Sequence, residues 1–157
     1  MRVDEFIAEE CRRQAGLTLR DAPYYTADVM RVAKMAANMG VAWAKARTYF
    51  RDLSAHDFVL RVGKFVEPEA AANFRGVGVR IGEWVAPPAE RVKELIEEWS
   101  FAVEEGRLNP QEAYIAFEKI HPFCDGNGRT GKIIFNWLRG TLENPEFPLN
   151  TEGWLIP

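Results

Sequence analysis

The chain has 157 residues and a formal net charge of −3, with 47% hydrophobic and 27% charged residues. This balance is typical of a globular chain about one domain long, and it is unlike that of disordered or membrane-spanning chains. The acidic balance argues against a nucleic acid partner, and no apolar run reaches the roughly 18 residues of a membrane span. The two cysteines are far apart and acids occupy the first residues instead of an apolar leader, so we expect a cytoplasmic protein without disulfides and without a membrane partner.

Helical periodicity dominates the first part of the chain, where apolar residues recur three or four positions apart in three segments. Gly16 suits the end of the first helix, and Ser54 is a good capping residue for the start of the third. Gly40 is a point where the second helix could break. The predicted helices cover residues 4–15, 26–50 and 55–66.

The hydrophobic period changes once, from helical to strand-like, near the middle of the chain. Val77, Val79 and Ile81 alternate with glycines and an arginine, which is a strand pattern. Gly82-Glu83 suits a turn, and Trp84-Val85 suits a returning strand. Two strands alone are marginal in water, so this hairpin must pack on helices or serve as a binding edge. The sequence therefore predicts an all-α, mostly helical fold with one small β-hairpin.

Further helices follow the hairpin. Pro87-Pro88 begins the clearest of them, with Gly106 after its end. Asn109 and Glu112 have the spacing of a capping box at the start of the next helix. A last helix is predicted from residue 127 or 128 to 139, followed by an irregular tail.

Twelve residues from His121 to Lys132 combine a base, an acid, three glycines and two cations. A histidine can take a proton near neutral pH, and the carboxylate of Asp125 suits Mg²⁺ that is also held by phosphates. Gly126-Asn127-Gly128 leads into the start of a helix, whose free N–H groups and dipole favour an anion. Arg129 and Lys132 are three residues apart and can share one helix face. The segment predicts a phosphate-binding site with a base beside it.

The same twelve residues resemble the Fic/Doc family motif, H-P-F-x-D/E-G-N-G-R-x-x-R, at every position except the last. The resemblance extends to residues 74–88, where an aromatic-Arg pair, a Val-x-Ile-Gly strand and a Pro-Pro pair are similar to the family's flap hairpin. Together with the length of the chain, it leads us to expect a single Fic-like domain over 1–157. The implied core covers about 54–140, with a helical N-terminal extension over 1–53 and an irregular C-terminal tail over 141–157.

The resemblance implies a protein adenylyltransferase, which transfers AMP from ATP to a Ser, Thr or Tyr hydroxyl of a target protein with Mg²⁺ as cofactor. His121 would be the general base, and Asp125 would hold the Mg²⁺. The implied phosphate-binding residues are Gly126, Asn127, Gly128, Arg129 and Lys132; the target-binding flap is Val79, Arg80, Ile81 and Gly82; and Phe123 is the structural anchor of the loop.

Lys132 is the departure from the motif, because one ammonium cannot reproduce the forked contacts that the family's final arginine makes with the terminal phosphate. Two alternatives therefore stay open. One is a Fic-type enzyme that uses another nucleotide, phosphocholine or phosphate as donor, and the other is a weakened module that acts by binding. The family's self-inhibitory signature, S/T-x-x-x-E-G/N, is missing, so any inhibitor is expected to be a separate, antitoxin-like chain.

Residues 126–132 also satisfy G-x-x-x-x-G-K, the pattern of a P-loop. Ile133 replaces the Ser or Thr that would bind Mg²⁺, and the preceding segment is predicted to be a helix instead of a strand, so we reject this alternative. His56 lacks comparable neighbours and is interpreted as an ordinary histidine. Cys124 occupies the variable position of the motif and is interpreted as neutral.

Overall fold

The computed structural model describes residues 1–14 and 26–149. Within these ranges the chain forms six α-helices and one antiparallel two-stranded hairpin, which is the mostly helical architecture that the sequence predicts. The elements in chain order are α1 Val3–Gln14, α2 Thr26–Thr48, α3 Ala55–Val66, β1 Arg80–Ile81, β2 Trp84–Val85, α4 Ala89–Glu104, α5 Pro110–Ile120 and α6 Asn127–Arg139.

Local capping explains where several helices begin. The Ser54 side chain accepts a hydrogen bond from the N–H of Asp57 at 3.2 Å, as predicted for the start of α3. Asn109 and Glu112 form both halves of the predicted capping box of α5, each at 2.9 Å. α2 continues through Gly40 without a break. The predicted stop of α1 at Gly16 lies outside the described residues.

The hairpin is shorter than the sequence predicts. Arg80 pairs with Val85 and Ile81 with Trp84, whereas residues 77–79 precede the ladder. Because two strands are marginal alone, the hairpin needs a support. The indole N–H of Trp84 provides one by donating to the backbone carbonyl of Lys119 on α5, at 3.1 Å.

One hydrophobic core joins the N-terminal helices to the rest of the chain. Phe6 of α1 and Trp43 of α2 are buried in the same cluster as Phe123, which follows α5, and Ile134 of α6. The Phe123 ring fits only because residue 63 is glycine, since a Cβ there would lie 2.6 Å from the ring. None of the helices described is long and apolar enough to cross a membrane.

Candidate active site

His121 ends α5 and begins the loop that leads to α6. Its φ of 51° lies in the left-handed region, and it is the one residue other than glycine with a positive φ among those described. Pro122 explains why α5 ends here, because a proline disfavours helical backbone at the residue before it, but it does not require a left-handed conformation. A left-handed conformation costs a residue with a Cβ about 1–2 kcal/mol, so surrounding contacts must hold the loop in place.

Arg75 supplies those contacts. It is buried, and its Nε donates to the carbonyl of His121 at 2.7 Å, while an Nη group donates to that of Pro87 at 2.6 Å. The other Nη group donates to the carbonyl of Val77 at 2.8 Å, and the backbone N–H of Arg75 donates to Pro122 at 2.8 Å. One guanidinium therefore ties the loop after α5 to both ends of the hairpin segment. In the sequence, this arginine is distinguished only as part of a pair with an aromatic residue.

The imidazole of His121 is arranged as a neutral base. Its Nδ1 lies 3.3 Å from the carbonyl of Glu118. A carbonyl can only accept, so this contact favours a proton on Nδ1 and leaves the lone pair on Nε2. Burial lowers the pKa of His121 below its usual value and the charge of Arg75 lowers it further, while Glu118 and Asp125 act in the opposite direction.

Asp125 is the exposed acid of the loop, with 64% of its side chain accessible. Its Oδ1 accepts from the N–H of Gly126 at 2.7 Å, so the carboxylate is oriented by the turn itself. No group of three or more metal-binding side chains occurs in the described ranges. A cation at Asp125 would complete its shell with phosphate oxygens and water, which is how Mg²⁺ is usually held beside nucleotides.

Gly126 and Asn127 shape the start of α6. Gly126 has a φ of 81°, and a Cβ there would lie 2.9 Å from the side chain of Glu67, so only glycine fits. The buried amide of Asn127 accepts from the N–H of Phe123 at 2.9 Å and donates to the carbonyl of Phe123 at 2.8 Å. These bonds close the loop. The first hydrogen bond of α6 runs from the N–H of Thr130 to the carbonyl of Gly126. The N–H groups before it have no partner within the helix, and we call this N-terminus the open end of α6.

Arg129 lies beneath this end of α6 and is only 2% exposed. It donates to the carbonyl of Val66 at 3.4 Å and to Glu67 at 3.3 Å, and it lies 3.5 Å from Asp125. Its charge is therefore shared between two carboxylates at the edge of the predicted phosphate site. Glu67 follows α3 directly, and nothing in its sequence context had indicated this pairing.

Lys132 does not accompany Arg129 at the open end of α6, which differs from the predicted pair of phosphate-binding cations. Its Nζ donates to the hydroxyl of Tyr114 at 2.9 Å and to Glu10 at 3.2 Å, and its side chain is 6% exposed. Burial alone would lower the pKa of Lys132, but the attraction of Glu10, Tyr114 and Glu118 is stronger and raises it. Lys132 is thus a buried cation that joins α6 to α1 and α5.

Two buried carboxylates surround this cation. Glu10 is fully buried on α1, and burial raises the pKa of Glu118 on α5 to about 7. Gly131 makes room for the cluster, since a Cβ there would overlap the Glu118 carboxylate and the Tyr114 ring. The sequence did contain a signal for Glu10, because this acid occupies the apolar face of α1 together with Phe6 and Ile7.

The predicted flap residues lie in the hairpin, next to the loop. Arg80 and Gly82 are exposed, whereas Val79 and Ile81 are half-buried. β1 pairs with β2 on one side only, which leaves its outer edge unpaired within the described part of the chain. Cys124 is exposed and Cys11 is buried, and both are free thiols.

A mostly helical domain that places a base, an acid and a glycine turn at a helix N-terminus beside a lone hairpin defines a recognisable class of fold. The model of the Fic/DOC family matches residues 50–138, and the chain belongs to this family. The chain is 33% identical over 85 residues to "Protein adenylyltransferase Fic" of Drosophila grimshawi and 32% identical over 85 residues to its counterpart in Drosophila mojavensis. Each alignment covers 50% of this chain, which spans 18% and 17% of those two proteins.

Solved structures support the fold. A Fic family protein from Desulfovibrio desulfuricans G20 superposes with a TM-score of 0.59 at 22% identity, over 87% of this chain and 45% of that one. Fic-1 from C. elegans superposes with a TM-score of 0.61 at 19% identity, over 86% of this chain and 42% of that one. A Fic domain-containing signaling protein from Bacteroides thetaiotaomicron has a TM-score of 0.56 at 17% identity, over 86% of this chain and 63% of that one. At these identities the similarity shows a shared fold.

Proposed function

We propose that this domain is a Mg²⁺-dependent protein adenylyltransferase that moves AMP from ATP to a Ser, Thr or Tyr hydroxyl of a target protein. The observation that carries the proposal is the geometry of His121 at the end of α5, where the contact of Nδ1 with the Glu118 carbonyl leaves the lone pair on Nε2 and burial lowers the pKa of the ring. Membership of the Fic/DOC family and the names of the two Drosophila relatives support it.

In the proposed reaction His121 takes the proton of the target hydroxyl at Nε2 while the hydroxyl oxygen attacks the α-phosphorus of ATP. A new oxygen–phosphorus bond forms, the bond to the β-phosphate breaks, and pyrophosphate leaves. The free N–H groups at the start of α6 and the Arg129 guanidinium would stabilise the charge that develops on the phosphates. Mg²⁺ held by Asp125 would neutralise part of the same charge. Gly126 supplies the positive φ of the turn that begins α6, and Gly128 leaves room for the amide of Gln14.

The hairpin would position the target. An extended segment of the target protein could pair with the outer edge of β1, which would fix its hydroxyl near His121 through main-chain hydrogen bonds. Val79 to Gly82 lie along this edge, and Arg75 holds the base of the hairpin against the loop. The position of the hydroxyl on the paired segment would then select the modified residue more than the neighbouring side chains do, because main-chain hydrogen bonds carry little sequence information.

Incubation with α-labelled ATP, Mg²⁺ and a cell extract tests the proposal. The wild-type protein should label at least one extract protein, and His121→Ala should label none. His56→Ala is the matched control, because His56 lies on α3 outside the loop, and its labelling should equal that of the wild type. Equal labelling by the wild type and His121→Ala, or no label with either, contradicts the proposal.

The second candidate function is transfer from a donor other than ATP, and the ion pair between Lys132 and Glu10 favours it. A donor without a terminal phosphate would not need the cation that the buried Lys132 fails to present. The mass added to the modified target decides between an adenylyl group, another nucleotidyl group, phosphocholine and phosphate. A separate inhibitory chain stays a prediction, which co-purification of the protein from its native cell would test.

A further inference from the structure

We propose that Gln14 of α1 is a nucleotide-binding residue, which donates a hydrogen bond to an outer phosphate of a nucleotide bound at the start of α6. Gln14 would take the place of Lys132, which the motif predicts to make this contact. The inference rests on the proposed function, because it assumes that a nucleotide binds at this end of α6.

The position of Gln14 is defined by Gly128. A Cβ on Gly128 would overlap the Nε2 of Gln14 and lie 2.8 Å from its Cδ and 2.9 Å from its Oε1. The amide of Gln14 therefore lies directly against the backbone of the first turn of α6. Gln14 is exposed and Gly128 is half-buried, so this amide stands at the solvent-facing rim of the predicted phosphate site.

The orientation of Gln14 is set by the buried cluster. Its Nε2 donates to Oε1 of Glu10 at 2.7 Å, and the same oxygen accepts from Nζ of Lys132 at 3.2 Å. Glu10 is fully buried, so it is a fixed anchor for the amide. A glutamine Nε2 carries two N–H groups, and Glu10 uses one of them. The other N–H group is the hydrogen-bond donor that we assign to the phosphate. Lys132 is a positioning residue, because it acts on the bound nucleotide only through Glu10.

The charges nearby explain why a neutral amide matters here. Lys132 is neutralised by Glu10, and Arg129 faces both Glu67 and Asp125. Both cations are already paired with carboxylates, so neither presents its full charge to the outer phosphates. A hydrogen bond from Gln14 to a charged phosphate oxygen is then a large part of that contact, and its loss should weaken binding about ten- to a hundred-fold. AMP lacks the outer phosphates, so its binding should not change.

Calorimetric titration with Mg²⁺-ATP and with AMP measures this difference, with His121→Ala as the background so that no transfer occurs during the measurement. Gln14→Ala should weaken ATP binding about ten- to a hundred-fold and leave AMP binding unchanged. Gln111→Ala is the matched control, because Gln111 is a glutamine on α5 that bonds to Leu149, and it should bind both ligands as the background does. Unchanged ATP binding by Gln14→Ala would overturn the proposal.

A second substitution at position 14 tests the same contact independently. Gln14→Lys adds a cation at the same rim, so it should bind ATP more tightly than the background protein and with a steeper dependence on salt. Tighter binding of ATP and AMP alike would indicate a general electrostatic effect and would count against a specific contact with the outer phosphates. Thermal unfolding of each variant shows that the comparison is made on folded protein.

The labelling and binding experiments separate the two proposals. ATP binding that depends on Gln14, together with no transfer to any extract protein, rejects the transferase and keeps the role of Gln14. Normal labelling with ATP binding that does not depend on Gln14 rejects the role of Gln14 and keeps the transferase. A wild-type protein that binds neither ATP nor AMP rejects both.

Discussion

Replacement of Lys132 by methionine tests whether this residue is a buried structural cation or a phosphate ligand. Methionine keeps most of the apolar length of the side chain and removes the charge. Glu10 would then be a fully buried carboxylate without its cation, and Tyr114 would lose a hydrogen-bond partner. Removal of one partner from a buried ion pair costs about 3–5 kcal/mol. That is a large part of the total stability of about 5–15 kcal/mol that is usual for a domain.

The assay is urea unfolding at pH 7, followed by tryptophan fluorescence. Lys93→Met is the matched control, because Lys93 is exposed on α4 and its replacement should change the unfolding free energy by no more than about 0.5 kcal/mol. Glu10→Gln combined with Lys132→Met should recover much of the lost stability, since no uncompensated charge remains buried. The reasoning is refuted if Lys132→Met is as stable as Lys93→Met and instead loses affinity for ATP.

Three further predictions concern neighbouring residues. Because the pKa of Glu118 is raised to about 7 from the usual 4.5, its contribution to stability is complete below pH 4.5 and is lost as the pH rises through 7. Glu118→Gln stays neutral, so its unfolding free energy in urea titrations should rise relative to that of the wild type as the pH increases from 4.5 to 7. A difference between the two unfolding free energies that does not change with pH would contradict this. Gly131→Ala should lose about 1–3 kcal/mol by thermal or urea unfolding, because a Cβ overlaps Glu118 and Tyr114, whereas Gly40→Ala, with open space around it, should be neutral or stabilising. The lowered pKa of His121 predicts that the acid limb of the rate of AMP transfer has its midpoint below pH 6.5, and a midpoint above 7 would argue against an unprotonated His121 as the base.

The helices were predictable because their boundaries depend on nearby residues. The capping box at Asn109 and the end of the last helix at residue 139 involve groups within a few positions, and the structure has both. The hairpin was predicted too long, because an alternating pattern from Val77 to Ile81 indicates extended backbone but does not say how many of these residues pair with a partner strand; Val79 accepts one hydrogen bond, from the N–H of Ala86. Only two residues of each strand form the ladder.

The sequence by itself determined the loop from His121 to Gly128 and the family to which it belongs. Pro122 ends α5 at the residue before it, and Gly126 permits the turn into α6, so a short string of residues is enough to specify where the helix stops and the turn begins. The contacts that hold this backbone in place come from Arg75 and Glu67, which are distant in sequence.

Only the tertiary structure decided what surrounds that loop. Lys132 shares a helix face with Arg129 in any sequence-based projection, yet it contacts Glu10, which is 122 positions away. Arg75 and Gln14 likewise reach the site from segments far from it in sequence. Residue spacing defines the face of a helix on which a side chain lies, but the elements that cover that face are chosen by packing across the whole core. For this reason the last residue of the motif has a different neighbourhood from the one that its position in the sequence predicts.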